Sequence, residues 1–93
     1  MQTHVVIKGV VQGVGFRHFV RHKARKLGVF GWVKNTSTGQ VEALFEGSKE
    51  AIETMITVCK KGPWLSQVTD TIVTWNEKEE GNFTDFVIVR EEK

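Results

Sequence analysis

The stretch Val29-Phe30-Gly31-Trp32-Val33-Lys34-Asn35-Thr36-Ser37-Thr38-Gly39-Gln40-Val41-Glu42-Ala43-Leu44-Phe45-Glu46 reads as two strands, Val29 to Asn35 and Gln40 to Glu46, joined by a tight turn. Gly39 supplies the positive φ such a turn needs. Val41, Ala43 and Phe45 alternate with Glu42, Leu44 and Glu46, so this hairpin has one inward face. Before it, Phe16, Phe19, Val20, Ala24 and Leu27 recur at helical spacing, with Arg21, His22, Arg25 and Lys26 between them and Gly28 as a stop. After it, Ser48 reads as an N-cap, Glu50 and Glu53 favour the helix start, and Ile52, Met55, Ile56 and Cys59 form the apolar stripe of a second helix. Lys60-Lys61-Gly62-Pro63 ends it. Three further β-rich runs, His4 to Val11, Val68 to Trp75 and Phe83 to Arg90, complete the order β-α-β-β-α-β with one extra strand. Two helices separated by a hairpin predict an α+β, ferredoxin-like split βαβ sandwich, an antiparallel sheet with both helices on one face.

With 93 residues, 40% of them apolar and 26% charged, the composition is that of an ordinary globular chain. The expectation is one domain over residues 1–93, folding unaided around a modest core, with any active site shallow. No stretch approaches the ~20 apolar residues of a membrane span, and Met1-Gln2-Thr3-His4 lacks a secretory pattern, so a cytosolic address and no membrane partner are expected. Cys59 is the only cysteine, which excludes an intramolecular disulfide and a Cys-based zinc cluster. Nothing in the spacing of His4 and His22 suggests a metal site. Both read as surface or strand-edge residues, and Cys59 as a small hydrophobe. Phe30, Trp32, Trp64 and Trp75 read as core or core-rim.

The net charge of +2 hides a division: residues 1–41 carry +7 without a single carboxylate, and the remainder carries −5. Such a field attracts anions, whether a small phosphate ester or a nucleic-acid backbone, although a solvated basic helix face would produce the same count. The glycine-rich run Gly9 to Gly15 leads from the first strand into the first helix. Glycines there let successive N–H groups converge at a helix start, forming an anion nest, while a plain turn remains the alternative. The run is neither a Walker A loop nor a Rossmann fingerprint. Arg17 opposes the helix dipole in the first turn, which a bound anion would reverse; otherwise the side chain turns to solvent. Asn35 ends a β-rich run. It either caps a turn or holds a water and a substrate oxygen together.

Ile7-Lys8-Gly9-Val10-Val11-Gln12-Gly13-Val14-Gly15-Phe16-Arg17 resembles the first signature of the acylphosphatase family. Gly31-Trp32-Val33-Lys34-Asn35, followed by Gly39-Gln40-Val41 and Gly47, resembles the second, and the similarity reaches Phe86-x-Ile88-x-Arg90. The resemblance implies metal-independent hydrolysis of the carboxyl-phosphate bond of acyl phosphates, without a cofactor. It implies that Arg17 binds the phosphate, that the backbone of Val11, Gln12, Gly13, Val14, Gly15, Phe16 and Arg17 surrounds its oxygens, and that Asn35 orients the attacking water. A phosphate oxygen of the substrate would take the water's proton. Inorganic phosphate would then be product and competitor, and a monomer is expected. Lys34, Thr38 and His18 depart slightly from the commonest pattern, and His18 leaves room for a pH-dependent contribution. Two alternatives remain. An RNA-binding module would use the basic first half and Phe30-Gly31-Trp32-Val33, but that echo falls on the second strand. A carbamoyl-phosphate-handling domain would front a much larger hydrogenase-maturation protein, against which a free 93-residue chain argues.

Overall fold

The computed structural model describes residues 1–77 and 81–90. Its elements run β1 (Gln2–Val10), α1 (Phe16–Leu27), β2 (Phe30–Asn35), β3 (Val41–Glu46), α2 (Lys49–Lys61), β4 (Gln67–Asn76) and β5 (Phe86–Ile88). The strands lie in the order β4-β1-β3-β2-β5. Alternation decides which face is covered: Thr3, Val5 and Ile7 of β1, Val33 of β2 and Val41, Ala43 and Phe45 of β3 have no exposure. They pack with Phe16, Val20 and Ala24 of α1 and Ile52, Met55 and Cys59 of α2, so both helices cover one side of the sheet. Each Val, Ile, Phe or Met among them contributes about 1.5–3 kcal/mol of transfer free energy.

Helix boundaries follow the sequence signals. The Ser48 hydroxyl accepts from the Ala51 amide at 3.2 Å, and α2 ends on Lys60 and Lys61 before Gly62. Burial pushes the Cys59 thiol up to about 12, in keeping with a packing role. The hairpin turn closes through Thr36 N–H to the Gln40 carbonyl at 2.9 Å and Gln40 N–H to the Thr36 hydroxyl at 3.1 Å.

Three expectations are altered. First, the four strands β4-β1-β3-β2 are antiparallel throughout, but β5 pairs with β2 in parallel, which makes the whole sheet mixed. The reason is topological: β4 ends beside Gln2, at the end of the sheet where β2 begins, so a chain crossing to the far edge must rise alongside β2. Second, the last strand is confined to Phe86–Ile88. The amides of Asn82 and Phe83 donate to the Glu46 carboxylate at 3.1 Å each, and Asp85 accepts from the Phe86 amide at 2.7 Å, so side chains hold this segment where a ladder was expected. Glu46 is 4% exposed; burial pushes its carboxyl up, but the hydrogen bonds from Gln2 and these two amides outweigh that and hold it below the usual range. Third, Trp64 is 95% exposed and Phe30 and Trp75 also face solvent, leaving only Trp32 half-buried among the four aromatics assigned to core or rim. Trp64 sits in the α2–β4 connection, outside any periodic element that would turn it inward.

Candidate active site

One end of the sheet gathers the C-terminal end of β1 and the start of β4, where Val10 pairs with Gln67, together with the end of β2 and the start of β3, where Asn35 pairs with Val41. The segment from Val11 to Gly15 crosses this end and enters α1. Its two flanks are anchored, since Val11 is 1% exposed and Phe16 is 2% exposed, both within the core. Between these anchors the backbone faces outward. Gly13 and Gly15 adopt φ of 74° and 77°, and at neither would a Cβ meet protein within 4 Å. Glycine is required there for the left-handed conformation, and the space in front of the loop is open.

The amides of this segment have no acceptors among the described residues. Gln12, Gly13, Val14 and Gly15 donate no hydrogen bond to any described residue, and the first bond at the helix start is from Phe19 N–H to the Gly15 carbonyl at 3.0 Å, which leaves Phe16, Arg17 and His18 as the unbonded first-turn amides. No side chain caps this terminus and no acid stands in its first turn. Half-buried Arg17 makes no ion pair or hydrogen bond with a described residue. His18 is exposed and accepts from the Arg21 guanidinium through Nδ1 at 3.2 Å, along the helix surface.

Asn35 is half-buried, and its Oδ1 is fully enclosed without a hydrogen-bond partner among the described residues. It also borders an open cavity of about 460 Å³, with Lys34, Thr36, Ser37, Glu42, Val89 and Arg90 on the walls, of which the amide loop is not a part. Glu42, the first carboxylate of the chain, is occupied: His4 Nε2 lies 2.6 Å from Oε2 and Lys34 Nζ lies 3.4 Å from Oε1. Burial pushes the Glu42 carboxyl up, but the His4 hydrogen bond and Lys34 charge prevail and hold it below its usual value. Lys34 also lies over the Trp32 ring at 5.2 Å. His22 is exposed, and among the described residues no cluster of three His, Cys, Asp or Glu could hold a metal ion.

The loop and the hairpin that carries Asn35 are joined by one side chain that sequence reasoning credited only with a backbone role. Gln12 Nε2 donates to the Thr36 carbonyl at 2.8 Å and to the Gln40 carbonyl at 2.7 Å. These partners are 24 and 28 residues away, beyond any local pattern.

A glycine-rich strand-to-helix turn with unbonded amides, an unpaired arginine in the first helical turn and a carboxamide on the adjoining hairpin define a class, the small α+β domains built to receive a compact anion. Comparison with known proteins narrows it. The acylphosphatase family model matches residues 3–88. The acylphosphatase of Chloroflexus aurantiacus is 46% identical over 86 residues, covering 90% of this chain and 94% of that one. The crystal structure of acylphosphatase from Bacillus subtilis superimposes with a TM-score of 0.90 at 42% identity, covering 95% of this chain and 97% of that one. Full-length HypF, solved in a phosphate- and nucleotide-bound form, is 37% identical with a TM-score of 0.84 over 98% of this chain but only 12% of its own. The chain belongs to the acylphosphatase family. Its activity is that of a hydrolase of small acyl phosphates, with phosphate among the products.

Proposed function

We propose that Arg17 and the backbone amides from Val11 to Arg17 bind the phosphoryl group of the substrate, and that Asn35 orients the attacking water. The observation that carries this reading is the run of amides beside Arg17 that, like the Arg17 guanidinium, have no partner among the described residues. The amides from Gln12 to His18 donate to no described residue, and an oxyanion seated at the loop would accept from several of them together. The glycines leave that space clear of Cβ atoms.

An acyl phosphate is a mixed anhydride with a good leaving group, so catalysis reduces to positioning and charge stabilisation. The water oxygen bonds to phosphorus while the bond from phosphorus to the bridging oxygen breaks, and that electron pair departs with the carboxylate. The water's proton passes to a phosphate oxygen of the substrate itself. Arg17 grips two equatorial oxygens in the plane of its guanidinium, and the loop amides, whose dipoles are fixed before substrate arrives, meet the remaining charge without reorganising. Asn35 Oδ1 is enclosed and has no hydrogen-bond partner among the described residues, so no protein group competes for its carboxamide. The carboxylate-free first 41 residues keep repulsion of the dianionic substrate low.

The same reading takes residues 1–93 as one self-sufficient, monomeric domain in the cytoplasm that needs no metal or cofactor and binds no nucleic acid. Among the described residues no helix is long and apolar enough to cross a membrane. Turnover of acetyl or benzoyl phosphate in the presence of a chelator tests it. Arg17→Ala and Asn35→Ala should each lower turnover by on the order of 10²-fold while the melting temperature stays near the parent's. Inorganic phosphate should compete with substrate for the parent and far more weakly for Arg17→Ala. Parent-like activity in either variant removes that residue from the mechanism.

A further inference from the structure

Displacement at phosphorus is in line, so the acyl group must leave on the side of the phosphoryl group opposite the water. If Asn35 holds the water, as proposed above, strand order fixes where the acyl group goes. Along the end of the sheet that carries the loop, Asn35 on β2 lies to one side of β1 and the start of β4 lies to the other. The open cavity with Lys34 and Arg90 is therefore on the water side and is not where an acyl chain projects.

On the β4 side three large apolar side chains are exposed beside the polar start of β4. Val10, at the end of β1, is 55% exposed, and Trp64 and Leu65 are 95% and 71% exposed. The latter two form the tip of a tight turn: Ser66 N–H donates to the Pro63 carbonyl at 3.0 Å and the Ser66 hydroxyl donates to the same oxygen at 2.6 Å. This turn leads directly into Gln67, which pairs with Val10 at the start of the loop, and the Gly62 before it packs on the Phe16 ring, where a Cβ would meet it at 3.0 Å. A large aromatic side chain held in solvent on a short, doubly bonded turn beside the phosphate loop is placed to cover a ligand, since it contributes nothing to the core.

We propose that Val10, Trp64 and Leu65 form the subsite for the acyl group, and that the enzyme therefore discriminates in favour of aromatic and larger apolar acyl phosphates over small or anionic ones. This rests on the phosphate-binding reading above and extends it to the leaving group. Trp64 offers a flat face to an aroyl ring, and Leu65 and Val10 border it with aliphatic surface.

The experiment compares kcat/KM for benzoyl phosphate and acetyl phosphate in the parent, Trp64→Ala, Leu65→Ala and Trp64→Phe. Because the two substrates differ in intrinsic reactivity, the informative quantity is the change in their ratio on substitution. Trp64→Ala should lower the benzoyl-to-acetyl ratio about 3- to 10-fold, the range measured for a single aromatic contact, Leu65→Ala should lower it less, and Trp64→Phe should restore most of it. Melting temperatures should agree, given the exposure of both side chains. An unchanged ratio overturns the proposal, and so does an equal fall with both substrates. Phosphate, which has no acyl group, separates this from the underlying reading. If Arg17→Ala leaves inhibition by inorganic phosphate intact, the phosphate site itself is wrong. If Arg17→Ala abolishes inhibition and Trp64→Ala leaves the ratio alone, only the acyl subsite is wrong.

Discussion

Gln12 is the joint between the amide loop and the hairpin of Asn35, and replacing it by methionine keeps the length while deleting both donors. The two bonds, 2.8 Å to the Thr36 carbonyl and 2.7 Å to the Gln40 carbonyl, are each worth about 0.5–1.5 kcal/mol net, so the joint is worth about 1–3 kcal/mol. The Gln40 carbonyl keeps a bond from Thr36 N–H at 2.9 Å, so the turn itself should survive. What is lost is the fixed offset between Asn35 and the loop. If the full 1–3 kcal/mol serves that offset, kcat falls about 5- to 160-fold, a scale consistent with the cost of misplacing a reacting group by roughly 1 Å. Inhibition by inorganic phosphate should change by less than about threefold, because the loop amides remain. Steady-state kinetics with acetyl phosphate on Gln12→Met, Asn35→Ala and the double variant decides the matter. A residue acting through Asn35 adds no further loss once Asn35 is gone. Multiplicative losses in the double variant, or an unaltered kcat in Gln12→Met, would refute the reasoning.

Two further outcomes follow from the geometry. Glu46 is held in its ionised form by three hydrogen bonds, one from Gln2 and two that tether residues 82 and 83 to β3, with a folded-state pKa below its unfolded value near 4.5. The stability it contributes is present above pH 4.5 and fades as pH falls through the folded value; Glu46→Gln should lower the melting temperature at neutral pH and flatten its decline in acid, measured by calorimetry across pH 3–7. Gly15→Ala must place a Cβ residue at φ 77°, at a cost of about 1–2 kcal/mol. Since nothing crowds that position, the effect should be a weaker phosphate inhibition constant with only a modest loss of thermal stability, readable by kinetics and unfolding together.

How much of this was legible beforehand depends on whether the responsible forces are local. The second helix was readable because its cap, stripe and stop lie within one window, Ser48 to Pro63, and the hairpin because Gly39 and the Val41, Ala43 and Phe45 alternation are adjacent. The brevity of β5 was not, because residues 82–85 are shaped by Glu46, Asp85 and their partners across the sheet. Trp64 shows the limit of composition: a hydrophobic side chain is a reason for burial only where an element turns it inward. In the site, the glycine spacing pointed to the amide loop and the basic first turn pointed to Arg17. Gln12 gave no such signal, since its side chain works on carbonyls contributed by the opposite hairpin.

If the anion is met chiefly by peptide groups, as proposed, the enzyme's working range is affected. A peptide N–H has no protonation equilibrium in ordinary aqueous conditions, and the one histidine near the loop, His18, is turned along the helix toward Arg21. On the proposed reading, acidification within the physiological span leaves these peptide contacts to the anion unaltered.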